Sequence, residues 1–445
     1  MKCETLSEAL AIIANQYGSD ALRDVKRVYL VLTDLLPERK DLRNTFKHAV
    51  SIEILEKLDG ACGKPRDEQK HIMYQCVQHC LNNLPLKQDV VEDVLWTYAV
   101  ALGWEDKRPE EAERVADVYV AGYENDPQDK SVATVWKNGK VLYWLTDGNF
   151  GAMAWSIFVS GGDVYATGRE KNPRGDRVAT VWKNGKVLYW LTDGNSDAWA
   201  NSIFISDGNV YVAGYERNPQ GDRVATVWKN GRVLYRLAEL NSYPGANSIF
   251  VSGDNVYASG YEENQHGMRV AAIWKNGKTL HWLTDGNFGA MAWSIFVSGG
   301  DVYAAGWENN PQGMRVATVW KNGKALYWLT DGNFGAMAWS IFVSDGDVYA
   351  SGWEKNVQGK YVATIWKNGK ALYWLTDGKF GAMAWSIFVS GDDVYASGYE
   401  ENPQGKRVAT IWKNGVVQYR LTNGSSYANA FSICVSGDYS SSTIL

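Results

Sequence analysis

Val135-Trp136-Lys137-Asn138-Gly139-Lys140 is the first of seven near-copies of one short segment. Its tryptophan recurs as Trp182, Trp228, Trp274, Trp320, Trp366 and Trp412, and every interval is 46 residues with nothing inserted or lost. A fixed period of that length marks a repeat architecture, in which each unit buries its apolar face against its neighbours. The contents of one unit settle which architecture it is.

In the fifth unit, Ser-Ile-Phe-Val-Ser at 294–298 and Asp-Val-Tyr-Ala-Ala-Gly at 301–306 are β-branched and aromatic runs, here called strands a and b. Two more, c at 316–320 and d at 325–329, flank Asn322-Gly323, a pair suited to the φ > 0 positions of a two-residue hairpin. Helical repeats need apolar residues every three or four positions and few glycines, which this unit lacks. Four-stranded units arranged radially make a β-propeller. Strand b first occurs at 117–122, and the place of its strand a, 110–114, reads Glu-Glu-Ala-Glu-Arg. At the other end, Ser-Ile-Cys-Val-Ser-Gly at 432–437 is a strand a with no strand b after it. The two halves complete one blade. The fold class is therefore an all-α N-terminal bundle plus an all-β seven-bladed propeller, whose C-terminal strand a closes on its N-terminal strand b and leaves no orphan edge.

The totals agree. Among 445 residues there are 44 Gly, 21 Trp and 25 Tyr against 10 Pro, the profile of a strand-rich chain with tight turns. Charged residues are 21% and the net charge is −5, which argues against disorder and against generic affinity for nucleic acid or anionic lipid. Glu4 stands where an export signal would run into its apolar core, and no apolar stretch is long enough to span a membrane. Five cysteines, four of them before residue 109, fit a reducing cytoplasm.

Residues 1–108 follow a helical period. Leu6, Ala9, Leu10, Ile13, Ala14 and Tyr17 share one face, Gly18 can close that helix, and Ser19 is placed to cap the next. Similar spacing runs through 21–36, 41–58, 67–81 and 88–102, with breaks at Gly60, Pro65 and Pro85, giving five expected helices. The charged run from Glu105 leads into a linker at 109–116, the propeller takes 117–438, and 439–445 is a tail.

The segments Ile12-Ile13-Ala14-Asn15-Gln16-Tyr17-Gly18, Asp24-Val25-Lys26-Arg27, Leu35-Leu36-Pro37 and Ala99-Val100-Ala101-Leu102-Gly103 resemble a small helical module found at the front of varied bacterial signalling and conflict proteins. The resemblance implies an adaptor that recruits or senses partners. The repeats resemble bacterial propellers of near-identical blades that share Val-Trp-Lys-Asn-Gly, and they lack the Gly-His and Trp-Asp pairs of WD40 blades.

Strands that alternate in direction place the a-to-b and c-to-d turns on one face and the longer b-to-c and d-to-a loops on the other, where binding is expected. The d-to-a loops carry paired aromatics: Phe150 with Trp155, Phe288 with Trp293, Phe334 with Trp339, and Phe380 with Trp385. In the remaining loops the tryptophan position holds Asn201, Asn247 or Phe431, and an aromatic appears nearby as Trp199, Tyr243 or Tyr427. Exchange of Trp for Asn argues for partial exposure and a ring of ligand-binding pockets. The other reading, that these rings fill the wedge between blades, stays open. Glu124, Glu170, Glu216, Glu262, Glu308, Glu354 and Glu400 end strand b, and Arg177, Arg223, Arg269, Arg315 and Arg407 open strand c, which reads as a cross-strand ion pair. Asp-Gly-Asn at Asp147, Asp285 and Asp331 reads as a turn, not a calcium ligand set.

Two isolated histidines, His266 and His281, offer no catalytic constellation. His71, Cys76, His79 and Cys80 spread round a helix too widely for one zinc ion, and the cysteines read as core thiols. Together these features lead to the expectation of a non-catalytic recognition or scaffold protein, without metal or cofactor, that binds a protein partner. The alternative is a multivalent carbohydrate-binding propeller. Oligomeric state is not legible.

Overall fold

The computed structural model describes residues 3, 5–64, 69, 72–73, 75–77, 79–80, 88–104, 116–218, 220–238 and 243–436. The chain divides into two compact units, 1–115 and 116–445. Residues 109–115 of the expected 109–116 linker, the tail and His71 lie outside the described residues.

In the first unit, Thr5 opens α1 (Leu6–Tyr17) with a reciprocal cap. Its hydroxyl accepts from the Glu8 amide, and its own amide donates to the Glu8 carboxylate, both at 3.3 Å. Gly18 ends the helix at φ +83°. A 3-10 turn, Ser19–Arg23, follows, and Asp24 instead of Ser19 caps α2 (Val25–Leu35) by accepting from the Arg27 amide. The segment expected as one helix over 41–58 is two, α3 (Lys40–Ala49) and α4 (Ile52–Asp59). Ser51 makes the break, because its hydroxyl accepts from the Ile54 amide at 3.2 Å and starts a helix where apolar spacing reads straight through. α5 is Gln88–Ala101, and the described residues between Gln69 and Cys80 are helical as well. Leu10, Ile13, Leu32, Phe46, Ile54 and Leu95 meet in one core. Within it Tyr98 donates its hydroxyl to the Leu22 carbonyl, and Trp104 Nε1 donates to the Leu58 carbonyl at 2.7 Å. Cys76 and Cys80 are buried there too, and burial pushes the Cys76 thiol up to about 11.

The second unit is seven four-stranded antiparallel sheets. In the fifth blade, strands a to d are Ala290–Ser298, Asp301–Asn309, Arg315–Lys321 and Lys324–Trp328. Blade one is built from both ends of the unit, with Ala428–Ser436 as strand a beside Asp117–Asn125, Ser131–Lys137 and Lys140–Trp144. Its seam pairs Asp117 with Ser436 through to Glu124 with Ala428. Neighbouring strands a adjoin all the way round. The ring read from the sequence is closed.

Trp136 and its six counterparts are at most 1% exposed. Trp182 packs on Tyr119, Ala133 and Val135 of the preceding blade, and Trp136 packs across the seam on Ala409, Ile411 and Leu421 of blade seven. Burying one such indole contributes about 5 kcal/mol at ~25 cal/mol/Å². Lys137 pairs with Asp117 at 2.7 Å. Asn138 accepts from the Val118 amide at 2.8 Å and donates to Asp117 at 2.7 Å. With φ +50° at Asn138 and +80° at Gly139, the turn is the two-residue type that matches strand twist. The motif thus wedges one blade against the last and clamps the c-to-d hairpin to the start of strand b.

Strand a is longer than the sequence indicates, because it begins inside Ala-Met-Ala-Trp. A bulge between Ala292 and Ser294 leaves Trp293 unpaired in the ladder. Opposite it stands Gly306, where a Cβ would lie 1.9 Å from the Met291 carbonyl oxygen, so strand b needs glycine there. Beyond the bulge the Ile295 amide leaves its own sheet and donates to Ser248 Oγ of the preceding blade at 3.3 Å. The same bond occurs at all seven interfaces, including Ile433 to Ser386 and Ile157 to Ser432.

Candidate functional site

The two faces differ as the sequence implies. Both hairpin turns of a blade are two residues long and lie on one face, and all longer loops lie on the other. Those loops are tied to one another. Asn310 Oδ1 accepts from the Gln312 and Met314 amides at 3.1 and 2.9 Å, and its Nδ2 donates to the Gly332 carbonyl in the following d-to-a loop at 3.2 Å. Asn172, Asn264, Asn356 and Asn402 tie their blades in the same way. In the d-to-a loops Asp331 accepts from the amide and the side chain of Asn333 at 2.9 and 2.7 Å, and Asp147 and Asp285 repeat the arrangement. Backbone and side-chain bonds from Asn149 hold the Asp147 carboxyl below the usual range. The Asp-Gly-Asn sequences are turn formers.

The eleven aromatics singled out in the sequence fall into two sets. Phe150, Phe288, Phe334 and Phe380 are 42–44% exposed on the loops, and Tyr243 is exposed too, at φ +41°. Trp155, Trp293, Trp339 and Trp385 are half-buried and sit at the strand a bulge, not in the loop. There they meet round the inner ring: Trp293 with Trp339 at 4.4 Å and Trp339 with Trp385 at 4.6 Å between centroids, both tilted, and Trp155 stacked on Phe431 at 4.2 Å. Asn201 and Asn247 take the same position by donating to the Ala246 and Ala292 carbonyls of the next blade, each at 2.9 Å. That is how Trp and Asn exchange: one spans neighbouring strands by ring contact, the other by a hydrogen bond. Trp199 stacks between Trp155 and Tyr215, with the Arg169 guanidinium 3.9 Å above it. Tyr427 lies half-buried under Lys406.

The recurring glutamates have a different partner from the expected one. Arg315 stands opposite Asn309, and Glu308 stands opposite Val316, so the two side chains leave opposite faces of the sheet. Arg177 pairs instead with Asp197 at 3.0 Å, and Arg269 approaches Glu263 at 3.8 Å. Arg223, Arg315 and Arg407 lie over Tyr215, Trp307 and Tyr399. Six of the seven glutamates reach across to the last residue of strand d, and Glu262 accepts from Trp274 Nε1 on strand c at 3.2 Å. Trp144, Trp190, Trp328 and Trp374 donate Nε1 to Glu124, Glu170, Glu308 and Glu354 at 2.5–3.0 Å. Arg236 and Arg420 pair with Glu216 and Glu400 at 3.0 and 2.9 Å.

Sequence reasoning passed over these strand d residues, although they carry the most exposed rings of the propeller. Trp144, Trp190, Trp282, Trp328 and Trp374 are 50–65% exposed. Their signal was available, as Trp-Leu-Thr-Asp recurs after Asn-Gly, but a five-residue outer strand gives no alternation long enough to assign a face. Trp190 and Trp328 each stand at a cavity between the b-to-c loop and a d-to-a loop. In blade five the cavity is about 540 Å³ and is lined by Trp328, Glu308, Phe288, Asn310, Asp285 and Asp331 among others. Blades two and seven have a cavity of about 430 Å³ on the same b-to-c loop, with Trp190 and Arg420 at the strand d position; in blade two the d-to-a loop that follows lines it (Asp193, Gly194), and in blade seven the one that precedes (Asp377, Phe380). Neither Trp293 nor Trp385 lines the cavities that hold Phe288 and Phe380. A planar ring with its edge fixed by a carboxylate, beside further acceptors, can take the apolar face of a ligand and hydrogen-bond its rim.

No family model and no curated protein matches this sequence. Solved structures share its fold at low identity. The β-propeller domain of the Trilobed protease from Pyrococcus furiosus, described as having an open velcro topology, is 13% identical over 69% of this chain and 95% of that one, with a TM-score of 0.40. A sialidase from Trypanosoma rangeli in complex with 2,3-difluorosialic acid is 9% identical over 64% of this chain and 56% of its own, with a TM-score of 0.38. A Bombyx mori GH32 β-fructofuranosidase is 10% identical over 58% and 74%, with a TM-score of 0.30. The chain thus spans little more than half the length of the sialidase, and the likeness is one of propeller fold alone.

Proposed function

We propose that the propeller is a non-catalytic recognition module that holds a protein or a repetitive ligand at several rim cavities at once. In this reading the helical unit is its adaptor, coupling it to a further partner in a bacterial signalling or defence setting in the cytoplasm. The observation that carries the proposal is the recurrence of a cavity on the b-to-c loop beside the strand d residue, with loops tied by the same asparagine, in blades two, five and seven. Catalysis by acid and base asks for two groups in different environments, whereas a repeated cavity offers the same environment again. Repetition instead multiplies weak binding, since linked sites raise avidity without new contacts.

The test is capture from a bacterial lysate by the full chain and by a variant with Trp144, Trp190, Trp282, Trp328 and Trp374 all changed to Ala. Loss of the captured species in a variant that still folds is the expected result. An unchanged set would remove the rim cavities from the function.

A further inference from the structure

We infer that the rim cavities are saccharide sites in which the strand d tryptophan is the platform for a neutral pyranose ring, an inference that rests on the recognition reading above. The first ground is the state of the indole. Five tryptophans at one register position stay 50–65% exposed on the outermost strand, where a polar residue would be the stable choice. In four of them the ring cannot turn away, because Nε1 is held by a glutamate at 2.5–3.0 Å. An exposed ring fixed in place is a preformed stacking surface, and the axial C–H face of a pyranose is its complement.

The second ground is the polar rim. In blade five, Asp285 and Asp331 are engaged by their own turns, and Glu308 by Trp328, so each keeps free lone pairs at a fixed position round the ring. Vicinal hydroxyls donate to such acceptors, and Asn310 lies among them. The cavity volumes of about 430–540 Å³ sit inside the range of small-molecule sites, ~300–1,000 Å³.

The third ground excludes the nearest rival. Aromatic rings beside carboxylates also suit a cationic side chain. In blades three and seven, however, Arg236 and Arg420 stand at the tryptophan position and already neutralise Glu216 and Glu400. A cation has no place there, while a guanidinium can both stack on a sugar ring and donate to its hydroxyls. A saccharide is the ligand class compatible with both forms of the site.

The experiment uses the full chain on an array of neutral oligosaccharides, with a lysine-rich peptide as the competing probe. Wild type is compared with Trp190, Trp328 and Trp374 all changed to Ala, and with Glu170, Glu308 and Glu354 all changed to Gln. Binding to at least one pyranose series is expected. It should fall about a hundredfold in the Trp variant, as the loss of several linked sites implies. Gln still accepts from the indole, so the Gln variant should stay within about fivefold, a loss near 1 kcal/mol. Tighter binding of the peptide than of any saccharide, abolished by the Gln changes, would overturn the inference in favour of a cationic partner. A blank array would overturn it too: if lysate capture still depends on the tryptophans, recognition at the rim stands without the sugar, and if not, both fall.

Discussion

Ser432→Ala should lower the melting temperature of the propeller as much as Ser294→Ala does. Ser432 accepts from the Ile157 amide, from blade two to blade one, and Ser294 accepts from Ile341 between blades six and five, both at 3.2 Å. The donors' residues are 5% and 4% exposed, so each variant leaves a buried amide without its partner. Such a loss costs about 1–3 kcal/mol. Unfolding entropy of ~2.1 cal/mol/K per residue, over a unit of roughly 320 residues, gives about 0.7 kcal/mol/K. The expected fall is therefore ~1.5–4.5 °C for either change. Tryptophan fluorescence reads it cleanly, because Trp96 and Trp104 alone lie outside the propeller. The comparison is informative because Ser432 sits on the strand supplied by the C-terminal segment, and Ser294 does not. If Ser432→Ala melts like the wild type while Ser294→Ala falls, the last strand is not docked beside blade two in solution and the closed ring is wrong.

Gly306→Ala drives a Cβ to within 1.9 Å of the Met291 carbonyl oxygen. A loss on the order of 3 kcal/mol or more is expected by the same melt, and a value near zero would mean the bulge opens freely. Arg169 stands where four other blades have tyrosine, with Nη1 unpartnered, and burial together with Arg177 pushes it down to about 10. Arg169→Tyr should raise the melting temperature by ~1–2 °C, and a fall would show that the stack on Trp199 outweighs desolvation. The Lys321 bond holds the Asp301 carboxyl below its ordinary range, and Asp163 and Asp347 have matching lysines. A depressed carboxylate contributes stability that is present above its unfolded pKa, ~3.9, and is lost as pH falls through the folded value. The propeller should accordingly weaken below about pH 4, as a melting series in pH would show. Asn209→Asp with Asn255→Asp should give Lys229 and Lys275 the missing carboxylate and raise the melting temperature at neutral pH, but not in acid or in strong salt.

The propeller was legible because period 46 and strand b without its strand a are both facts of order along the chain. Closure follows from them by counting. The helical unit was less so. Ser51 and Asp24 cut or start helices through single side-chain hydrogen bonds that apolar spacing does not record, and the Thr5–Glu8 box pairs a residue before the first apolar position with one on the polar face. In the site, the sequence pattern leaves Trp155 and its counterparts in the loop, because the β pattern resumes at Ser156. The bulge that places them on strand a breaks the period-2 alternation by which a strand is recognised. The Glu and Arg positions pair by proximity in the hairpin sequence, where a one-residue offset in register sends them to opposite faces.

With no insertion in any repeat, blades can differ only by substitution, and two rim positions do so independently. The loop position reads Phe150, Ser196, Ser242, Phe288, Phe334, Phe380 and Ser426. The strand d position reads Trp144, Trp190, Arg236, Trp282, Trp328, Trp374 and Arg420. In the blade five cavity the two rings line one space. Blades two, five and six carry both, blades one, four and seven carry one, and blade three carries neither. A ring sevenfold in backbone is thus not sevenfold in chemistry. If stacking on both rings sets affinity, losing one ring weakens a site by ~0.5–1.5 kcal/mol, up to about tenfold. Titration with a bound oligosaccharide should then resolve three tighter sites per chain. Exchanging Phe288 and Phe334 for Ser should leave one, and seven equal sites that ignore the exchange would refute the role given to the loop ring.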